Sequence, residues 1–284
     1  MATIIDGKRI SGEIRTELAE KTRAFETAYG TVPGLAVIIV GEDPASRVYV
    51  RNKHKACAEV GFYSEVHELP ADSTQEQIIA LIDKLNEQEN IHGILVQLPL
   101  PKHLDEQTIL LRIKPEKDVD AFHPYNVGKI MIGDFEFLPC TPAGVMELIH
   151  EAGVSVDGKH CVVVGRSNIV GKPQAMLLLK ENGTVTVCHS RTPDLPKITR
   201  EADILVSAVG KAGLITGEMV KPGALVLDLG MNRNADGKLV GDVDFESAEK
   251  VAGYITPVPG GVGPMTITML MKNTLKAAKL AAKK

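Results

Sequence analysis

Short runs of apolar and β-branched residues alternate with helical segments along the chain of 284 residues, and this alternation constrains the fold more than any other feature. GLAVIIVG (34–41) predicts a buried strand, and VYVRNKHKACAEVG (48–61) predicts a helix that its final glycine ends. STQEQIIALIDKLNEQ (73–88) has the pattern of an amphipathic helix, with Ser73 or Thr74 as its N-cap. The alternation predicts an α/β fold with parallel strands.

A second series of strands follows a break in the middle of the chain. In LPCTPAGVMELIHEAG (138–153), Thr141 is the predicted N-cap of a helix and Pro142 its first helical residue. The runs HCVVVG, TVTVCHS, ADILVSAVG and GALVLDLG then predict further strands.

The length and the last helix complete the predicted division of the chain. A chain of 284 residues suggests roughly two domains. The final helix, PMTITMLMKNTLKAAKLAA, is too apolar on one face to stand alone, so we expect it to return and pack on the first unit. We therefore predict one domain from residues 1–139 with 266–284, and a second domain from residues 140–265.

Charge and cysteine usage exclude several classes of function. The net charge is −4 with both signs interspersed, so no basic field would recruit nucleic acid. No apolar run approaches the ~20 residues that span a bilayer, and no secretory signal is evident, so we expect a cytoplasmic protein without a membrane partner. The four cysteines lack metal-ligand spacing, which predicts free thiols, no disulfide scaffold and no metal.

A glycine-flanked loop joins a predicted strand to a predicted helix in VVVGRSNIVGKP (162–173). It differs from the familiar G-x-G-x-x-G, since Ser167 stands where the second glycine would be. Gly165 still permits a tight turn and Gly171 a close approach, and the exposed N–H groups with the helix dipole would bind an anion. The loop favours a dinucleotide site in a Rossmann-like parallel sheet, although a plain strand-to-helix turn would explain the same glycines.

The residues near the next strand end favour NADP over NAD. TVTVCHSRT contains Ser190 and Arg191, and Arg166 lies in the glycine loop. Folds that prefer NAD place an acidic residue near this position, where it accepts from the ribose 2′-hydroxyl. Two cations and a hydroxyl without a carboxylate fit a 2′-phosphate instead, unless both arginines are exposed and idle.

Polar residues of the first unit stand where solvation alone explains them poorly. Tyr49 and Lys53 lie four apart in a predicted helix, so they share one face. Gln97 lies in the apolar strand GILVQLPLP, and a buried amide without partners costs about 1–3 kcal/mol, so its partner is the protein's own backbone or a ligand. Asp118 and Asp120 lie in KPEKDVDAF, where a loop aspartate is usually a cap or turn former. Short-chain dehydrogenases also contain Tyr-x-x-x-Lys, but their cofactor loop precedes the pair and here it follows.

Six motifs in order carry a resemblance over nearly the whole chain: VYVRNK, GILVQLPLP, PEKDVDAF, PCTPAGV, VVGRSNIVGKP and TPVPGGVGPMT. Together they resemble the bifunctional methylenetetrahydrofolate dehydrogenase/cyclohydrolase family, the FolD proteins. The resemblance implies a homodimeric enzyme of one-carbon metabolism with two α/β domains flanking a cleft. The first domain would bind folate and the second, Rossmann-like domain would bind NADP. One small departure is Ala121, where the family pattern leads us to expect glycine.

The resemblance also implies roles for residues of the first domain. Lys53 matches the catalytic lysine, Tyr49 the tyrosine that positions the substrate, and Gln97 the glutamine that assists the lysine. Asp120 matches the aspartate that anchors the pterin by accepting two hydrogen bonds.

Further roles are implied for the second domain. The cofactor phosphate and ribose contacts match Gly165, Arg166, Ser167 and Ser190, with Met231 at an aliphatic contact position. The loop PVPGGVGP (257–264) matches a segment over the folate and the nicotinamide, although an unliganded tight turn would also explain its glycines. Its implied substrate contacts are Pro259, Gly260 and Gly263.

The implied chemistry is NADP-dependent oxidation of 5,10-methylenetetrahydrofolate to 5,10-methenyltetrahydrofolate, followed by hydrolysis to 10-formyltetrahydrofolate. Hydride transfer mainly requires positioning. Hydrolysis requires a group that handles protons, which we assign to Lys53 with its pKa lowered by burial and by nearby cations such as Lys55. The alternatives are a single-activity relative, either dehydrogenase or cyclohydrolase, and an NADP-binding regulatory protein. The convergent polar residues of the first domain argue against the regulatory protein.

Overall fold

The computed structural model describes residues 1–283, which form two compact units. The six-stranded unit comprises Met1–Gly12 and Thr141–Thr266. The three-stranded unit comprises Glu13–Cys140 and the chain from Ile267 onward. In both units helices alternate with the parallel strands of a main sheet, which confirms the predicted α/β fold; β9 and β10 form a separate antiparallel pair.

Most of the strands coincide with the predicted apolar runs. In chain order they are β1 (Thr3–Ile4), β2 (Gly34–Val40), β3 (Tyr63–Leu69), β4 (Gly93–Val96), β5 (His160–Val164), β6 (Thr184–Cys188), β7 (Ile204–Ser207), β8 (Leu225–Asp228), β9 (Asn232–Arg233), β10 (Leu239–Val240) and β11 (Tyr254–Ile255).

The helices lie between these strands and at the end of the chain. They are α1 (Gly7–Tyr29), α2 (Pro44–Val60), α3 (Gln75–Glu87), α4 (Glu106–Leu111), α5 (Pro124–Ile132), α6 (Cys140–Glu151), α7 (Gly171–Lys180), α8 (Leu195–Thr199), α9 (Phe245–Ala248) and α10 (Val262–Ala281), with a 3₁₀ turn at Gly217–Met219. Within residues 1–283, none of these helices is both long enough and apolar enough to cross a membrane.

The six-stranded sheet has the order β1-β11-β8-β7-β5-β6, and all its neighbours pair in parallel. β7 and β8 are buried along their whole length, as expected for central strands covered on both faces. The last residues of three adjacent strands, Val164, Ser207 and Asp228, are in register. The loops that follow them therefore leave the sheet side by side at its carboxyl edge.

The three-stranded sheet has the order β3-β2-β4, also parallel, with every residue of β2 buried. Two caps of the flanking helices were predicted, the glycine that ends α2 and the threonine that begins α3. Asp43 caps the start of α2, and Gly61 ends it with a φ of +78°, a left-handed conformation that glycine adopts without strain. Thr74, rather than Ser73, caps α3 in a capping box with Gln77.

Several boundaries differ from the sequence analysis. Helix α2 begins at Pro44, four residues before the predicted start at Val48. The prediction of Thr141 as an N-cap was wrong, because α6 already begins at Cys140 and Thr141 lies in its first turn, with its Oγ1 3.0 Å from Thr266 Oγ1. Residues 1–12 group with the six-stranded unit instead of with residues 13–139. The reason is that β1 pairs with β11, and a strand of two residues carries no periodicity that sequence analysis can detect.

Candidate active site and cofactor loop

Lys53 and Gln97 meet in the three-stranded unit. Lys53 lies on α2, and Gln97 directly follows β4, where its backbone N–H donates to the carbonyl of Ile38 at 2.8 Å. Lys53 Nζ donates to Gln97 Oε1 at 3.0 Å, and Gln97 Nε2 donates to the Leu98 carbonyl at 2.6 Å. The polar atoms of the Gln97 amide are thus satisfied within the protein. Its oxygen orients the candidate catalytic amine.

The environment of Lys53 disfavours a positive charge. Burial lowers the pKa of the Lys53 amine from its ordinary value of 10.5, and the nearby Asp120 carboxylate opposes this shift. The expected contribution of Lys55 was wrong: its side chain is 76% exposed and extends toward Glu59, with Nζ 3.9 Å from Glu59 Oε1. A lowered pKa increases the fraction of neutral amine near pH 7, so burial alone prepares Lys53 to accept a proton.

Asp120 and Cys140 complete the cluster around Lys53. Burial raises the pKa of the Asp120 carboxyl, while Lys53 and the Cys140 thiol favour its ionised form. The Cys140 thiol also donates to the Val119 carbonyl at 3.5 Å. Burial, together with the Asp120 carboxylate, raises the pKa of Cys140 well above its ordinary value, so the thiol stays protonated. The ionisable pair of this site is therefore the amine and the carboxylate.

The loop that carries Asp120 is held by its neighbour Asp118. The buried Asp118 carboxylate accepts hydrogen bonds from His123 N at 2.8 Å and from Asn126 Nδ2 at 2.9 Å. Asp118 is therefore a turn former, as one interpretation of the sequence held. Ala121 has a φ of +57°, a region that glycine adopts without strain, which explains why glycine is expected there.

Asn273 also belongs to this region, and the sequence analysis missed it. Its side-chain nitrogen donates to the carbonyl oxygens of Val119 and Leu138 at 2.8 Å each. It thereby ties the segment before Asp120 to the segment before Cys140. The contact joins residues 154 positions apart, so no local spacing reveals it. The available signal was a polar residue among the apolar positions of the last helix.

Tyr49 lies on α2 and is half-buried. Its spacing of four from Lys53 puts both side chains on one face of the helix, as the sequence predicted. The structure thus brings Lys53, Gln97 and Asp120 into one cluster and places Tyr49 one turn before the amine. Direct contact of these side chains with a substrate stays a prediction.

The predicted glycine loop joins β5 to α7 in the six-stranded unit. Gly165 has a φ of +136°, and a Cβ there would lie 2.4 Å from the Ala208 carbonyl oxygen. A Cβ on Gly171 would lie 2.3 Å from the carbonyl oxygen of Gly165. Both glycines are therefore required by the turn. Ser167 Oγ accepts from the N–H groups of Val170 and Gly171 at 3.2 and 3.3 Å, so it caps the start of the helix.

The outer side of this loop fits an anion. Within residues 1–283, the backbone N–H groups of residues 166–169 have no hydrogen-bond partner. The side chains of Arg166 and Ser167 are exposed, and the positive end of the α7 dipole lies at this loop. Free N–H groups, a cation and a helix N-terminus form the arrangement that binds the phosphates of a dinucleotide.

The other predicted cofactor residues follow neighbouring strand ends. Ser190 is exposed and follows β6 in a turn held by its own hydrogen bonds. His189 N donates to Thr192 Oγ1 at 2.9 Å, and Arg191 N donates to His189 Nδ1 at 3.1 Å. Met231 follows β8, and its side chain is 45% exposed. Both positions lie at the carboxyl edge of the sheet, and their contact with a cofactor stays a prediction.

Residues 257–264 form a turn in the same unit. Gly260 has a φ of +109°, and its carbonyl accepts from Lys8 N at 2.9 Å. Pro259 is exposed and follows a cis peptide bond. Gly263 differs from Gly260, because it is exposed in the first turn of α10 with no atom within 4 Å of its Cβ position. Packing therefore does not require glycine at position 263, whereas close approach of a ligand would.

The cysteines and potential metal ligands add no further site. The four cysteines are free and buried, which confirms the prediction of free thiols. Within residues 1–283, no group of three or more His, Cys, Asp or Glu side chains is arranged to hold a metal ion.

Comparison with known families divides the chain in two. Residues 5–120 match the catalytic domain of the tetrahydrofolate dehydrogenase/cyclohydrolase family, and residues 139–282 match its NAD(P)-binding domain. A curated relative, the bifunctional protein FolD of Acetivibrio thermocellus, is 62% identical over 283 residues, which are 99% of each chain. FolD of Moorella thermoacetica is 61% identical over 278 residues, 98% of this chain and 99% of the relative.

Solved structures of similar proteins cover the same length. The methylenetetrahydrofolate dehydrogenase/cyclohydrolase of Campylobacter jejuni aligns with a TM-score of 0.96 and 51% identity over 99% of both chains. The corresponding enzyme of Trypanosoma brucei, solved with NADP cofactor and an inhibitor, aligns with a TM-score of 0.97 and 47% identity. That alignment covers 100% of this chain and 99% of the other.

Proposed function

Since the chain belongs to the tetrahydrofolate dehydrogenase/cyclohydrolase family, we propose that it catalyses two successive reactions of one-carbon metabolism. It oxidises 5,10-methylenetetrahydrofolate to 5,10-methenyltetrahydrofolate with NADP⁺, and it hydrolyses the product to 10-formyltetrahydrofolate. The observation that carries this proposal is the partly buried hydrogen bond between Lys53 and Gln97 beside the Asp120 carboxylate. Dehydrogenation alone hardly needs such a pair.

Lys53 is assigned the proton transfers of the hydrolysis. Water adds to the methenyl carbon and gives up a proton, and the ring then opens with return of a proton to the nitrogen that leaves. A neutral amine can accept the first proton and supply the second. A permanently protonated amine would instead repel the cationic substrate. Burial of Lys53 favours the neutral form, and Gln97 Oε1 fixes the direction of the amine.

Asp120 and Tyr49 are assigned to the folate. The Asp120 carboxylate has two oxygens that can accept from the amino and ring N–H groups of a pterin, a bidentate match that rejects rings lacking them. Tyr49 would position the substrate from the same helix face as Lys53. Pro259, Gly260 and Gly263 would approach the ligand through backbone, which the open space at Gly263 supports.

The six-stranded unit is assigned to NADP. The N–H groups of residues 166–169, with Arg166 and Ser167, would bind phosphate, and Gly165 allows the turn. Ser190 would contact the ribose and its phosphate, and Met231 would make an apolar contact with the cofactor. NADP⁺, when bound, accepts the hydride. The protein's part in that step is to position donor and acceptor, because the folate nitrogens stabilise the cation that forms.

Two further properties extend the proposal. The chain would act as a homodimer in the cytoplasm. β6 is the end strand of its sheet, and Val187 on it is 40% exposed. This sheet edge is therefore the candidate contact between the two copies. Light scattering on the purified chain tests the dimer. A monomer mass at micromolar concentration would reject it.

A paired assay tests the function. The purified chain is mixed with methylenetetrahydrofolate and either NADP⁺ or NAD⁺, and the reduced-nicotinamide band is followed. Separately, the loss of methenyltetrahydrofolate is followed without nucleotide. We expect both activities, with NADP⁺ preferred. Nicotinamide reduction without hydrolysis would support a single-activity dehydrogenase, hydrolysis alone a cyclohydrolase, and neither activity a regulatory protein.

A further inference from the structure

A pair of buried aspartates in the six-stranded unit has no part in the reaction described above. Asp228 is the last residue of β8 and Asp242 follows β10, and they are 4% and 0% exposed. Burial of a carboxylate is unfavourable unless hydrogen-bond donors surround it. The identity of the donors therefore indicates what the pair holds in place.

The Asp242 carboxylate collects donors from two loops. The successive backbone N–H groups of residues 209–211, directly after β7, donate to it at 2.7, 3.2 and 2.8 Å. Ser207 Oγ donates at 3.4 Å, and Asn232 Nδ2, from the segment after β8, donates at 2.9 Å. Three consecutive N–H groups around one carboxylate fix the course of that loop.

Asp228 holds Asp242 in turn. One Asp228 oxygen accepts from the backbone N–H groups of Asp242 and Gly230 at 2.9 and 2.8 Å, and the other accepts from Val243 N at 2.9 Å. A Cβ on Gly241 would lie 1.8 Å from an Asp228 carboxylate oxygen, so glycine is needed for this close approach. The two carboxylates thus join the segments that follow β7, β8 and β10.

These loops lie beside the glycine loop. The ends of β5, β7 and β8 are in register at the carboxyl edge of the sheet. The Cβ position of Gly165 lies 2.4 Å from the carbonyl oxygen of Ala208, the residue before the loop held by Asp242. β5 has β6 on one side and β7 on the other, and ligands of open α/β sheets bind where the strand order reverses in this way.

We propose that Asp242 is a positioning residue for the NADP site, which holds the loop of residues 209–211 and the Asn232 side chain beside the glycine loop. The inference rests on the proposed function, because it takes the glycine loop as the cofactor site. Asp228 contributes to the same arrangement. It accepts a hydrogen bond from Gly230 N on one side of Met231, while Asp242 accepts one from Asn232 Nδ2 on the other. Asp242 acts through these loops without touching the cofactor.

Asp242→Asn tests the proposal. An amide has one acceptor oxygen, and its NH₂ group would face N–H donors, so the loop of residues 209–211 would lose hydrogen bonds. The Kd for NADP⁺, measured by calorimetry on the full chain, should rise about tenfold or more. Hydrolysis of methenyltetrahydrofolate without nucleotide, whose assigned catalytic residues Lys53 and Gln97 belong to the three-stranded unit, should stay within about twofold of wild type.

Asp203→Asn is the matched control. Asp203 is also a carboxylate of the six-stranded unit that accepts from a backbone N–H, that of His160 at 2.9 Å, but it precedes β7 at the amino edge of the sheet. Its variant should keep the wild-type Kd for NADP⁺. An unchanged Kd in folded Asp242→Asn overturns the proposal, and so does an equal rise in Asp203→Asn, which would indicate general loosening.

A milder variant decides the case if Asp242→Asn does not fold. Asn232→Ala removes one donor to Asp242 and should raise the Kd for NADP⁺ by roughly two- to fivefold. A wild-type Kd for this variant overturns the proposal. If the wild-type chain itself does not bind NADP⁺, the proposed function fails and the positioning role fails with it.

Discussion

Buried ionisable groups occur in both units, and the two units satisfy them differently. In the three-stranded unit, the Lys53 amine has one hydrogen-bond acceptor within residues 1–283, the side-chain oxygen of Gln97. In the six-stranded unit, the Asp242 carboxylate has five donors. One group is left with little compensation for its burial, and the other is surrounded by partners.

This difference separates a group suited to chemistry from a group suited to architecture. A buried amine with few partners shifts toward its neutral form and can exchange a proton. A carboxylate that gathers backbone N–H groups instead fixes the loops that carry them. Burial alone therefore does not mark a catalytic residue, and the number of partners distinguishes Lys53 from Asp242.

Replacement of Lys53 should have the largest effect. Lys53→Met removes the proton carrier, so the rate of methenyltetrahydrofolate hydrolysis should fall on the order of 10²–10⁴-fold. The Kd for NADP⁺ should not change, because the assigned cofactor residues belong to the other unit. Stopped-flow absorbance and calorimetry measure the two quantities.

Lys55→Met is the control for that variant. Lys55 lies on the same helix with an exposed side chain, so hydrolysis should remain within about twofold of wild type. Normal hydrolysis by Lys53→Met would remove the distinction between the two units, since Lys53 would then be one more structural buried group.

The buried carboxylate Asp228 should make the stability of the six-stranded unit depend on pH. Burial raises the pKa of Asp228 from 3.8 to about 6. The folded chain therefore holds this proton more tightly than the unfolded chain, and the associated stability is full below pH 4 and is lost as pH rises through 6. The loss amounts to about 3 kcal/mol at most. Between pH 4 and pH 7, the free energy of unfolding measured in urea should therefore fall by that much more in wild type than in Asp228→Asn.

Asp203 provides a comparison of opposite sign. A hydrogen bond from Lys221 lowers the pKa of Asp203, so its contribution is present above the unfolded pKa and is lost as pH falls. The stability advantage of wild type over Asp203→Asn should therefore shrink as pH falls. If the free energy of unfolding changed with pH in the same way for wild type and Asp228→Asn, the raised pKa assigned to Asp228 would be contradicted.

Asn273→Ala should give the smallest effect. Loss of the bonds to Val119 and Leu138 should lower the free energy of unfolding by about 1–3 kcal/mol and raise the KM for methylenetetrahydrofolate by roughly threefold. Asn86 is a matched buried asparagine of the same unit, which bonds the backbone of Arg112 and Lys114. Asn86→Ala should lose similar stability with an unchanged KM. Equal KM values in both variants would show that Asn273 does not position Asp120.

Local sequence patterns predicted most of the fold and part of the site. A continuous apolar run predicted β2, and the end of α2 at Gly61 followed from glycine chemistry. Gln97 could be singled out as a polar residue in an apolar strand, and Lys53 by its spacing from Tyr49 together with the family resemblance. Their contact could not be predicted from spacing, since it depends on how α2 packs on the three-stranded sheet.

The remaining features depend on contacts between distant segments. Asp242 and its donors at 209–211 lie about thirty positions apart, and Asn273 contacts Val119 across 154 positions. Neither distance produces a period that a sequence can show. The pairing of β1 with β11 likewise joins segments near opposite ends of the chain, so no local pattern reveals it.

Direct titration of Lys53 shows whether burial lowers the pKa of its amine. The chain is labelled with ¹³C-lysine, the Lys53 resonance is assigned by its absence in Lys53→Met, and its chemical shift is followed with pH by NMR. We expect a midpoint below the ordinary lysine value of 10.5, because burial disfavours the charged amine. A midpoint at or above 10.5 would mean that Asp120 outweighs burial, and the amine could not carry protons in hydrolysis.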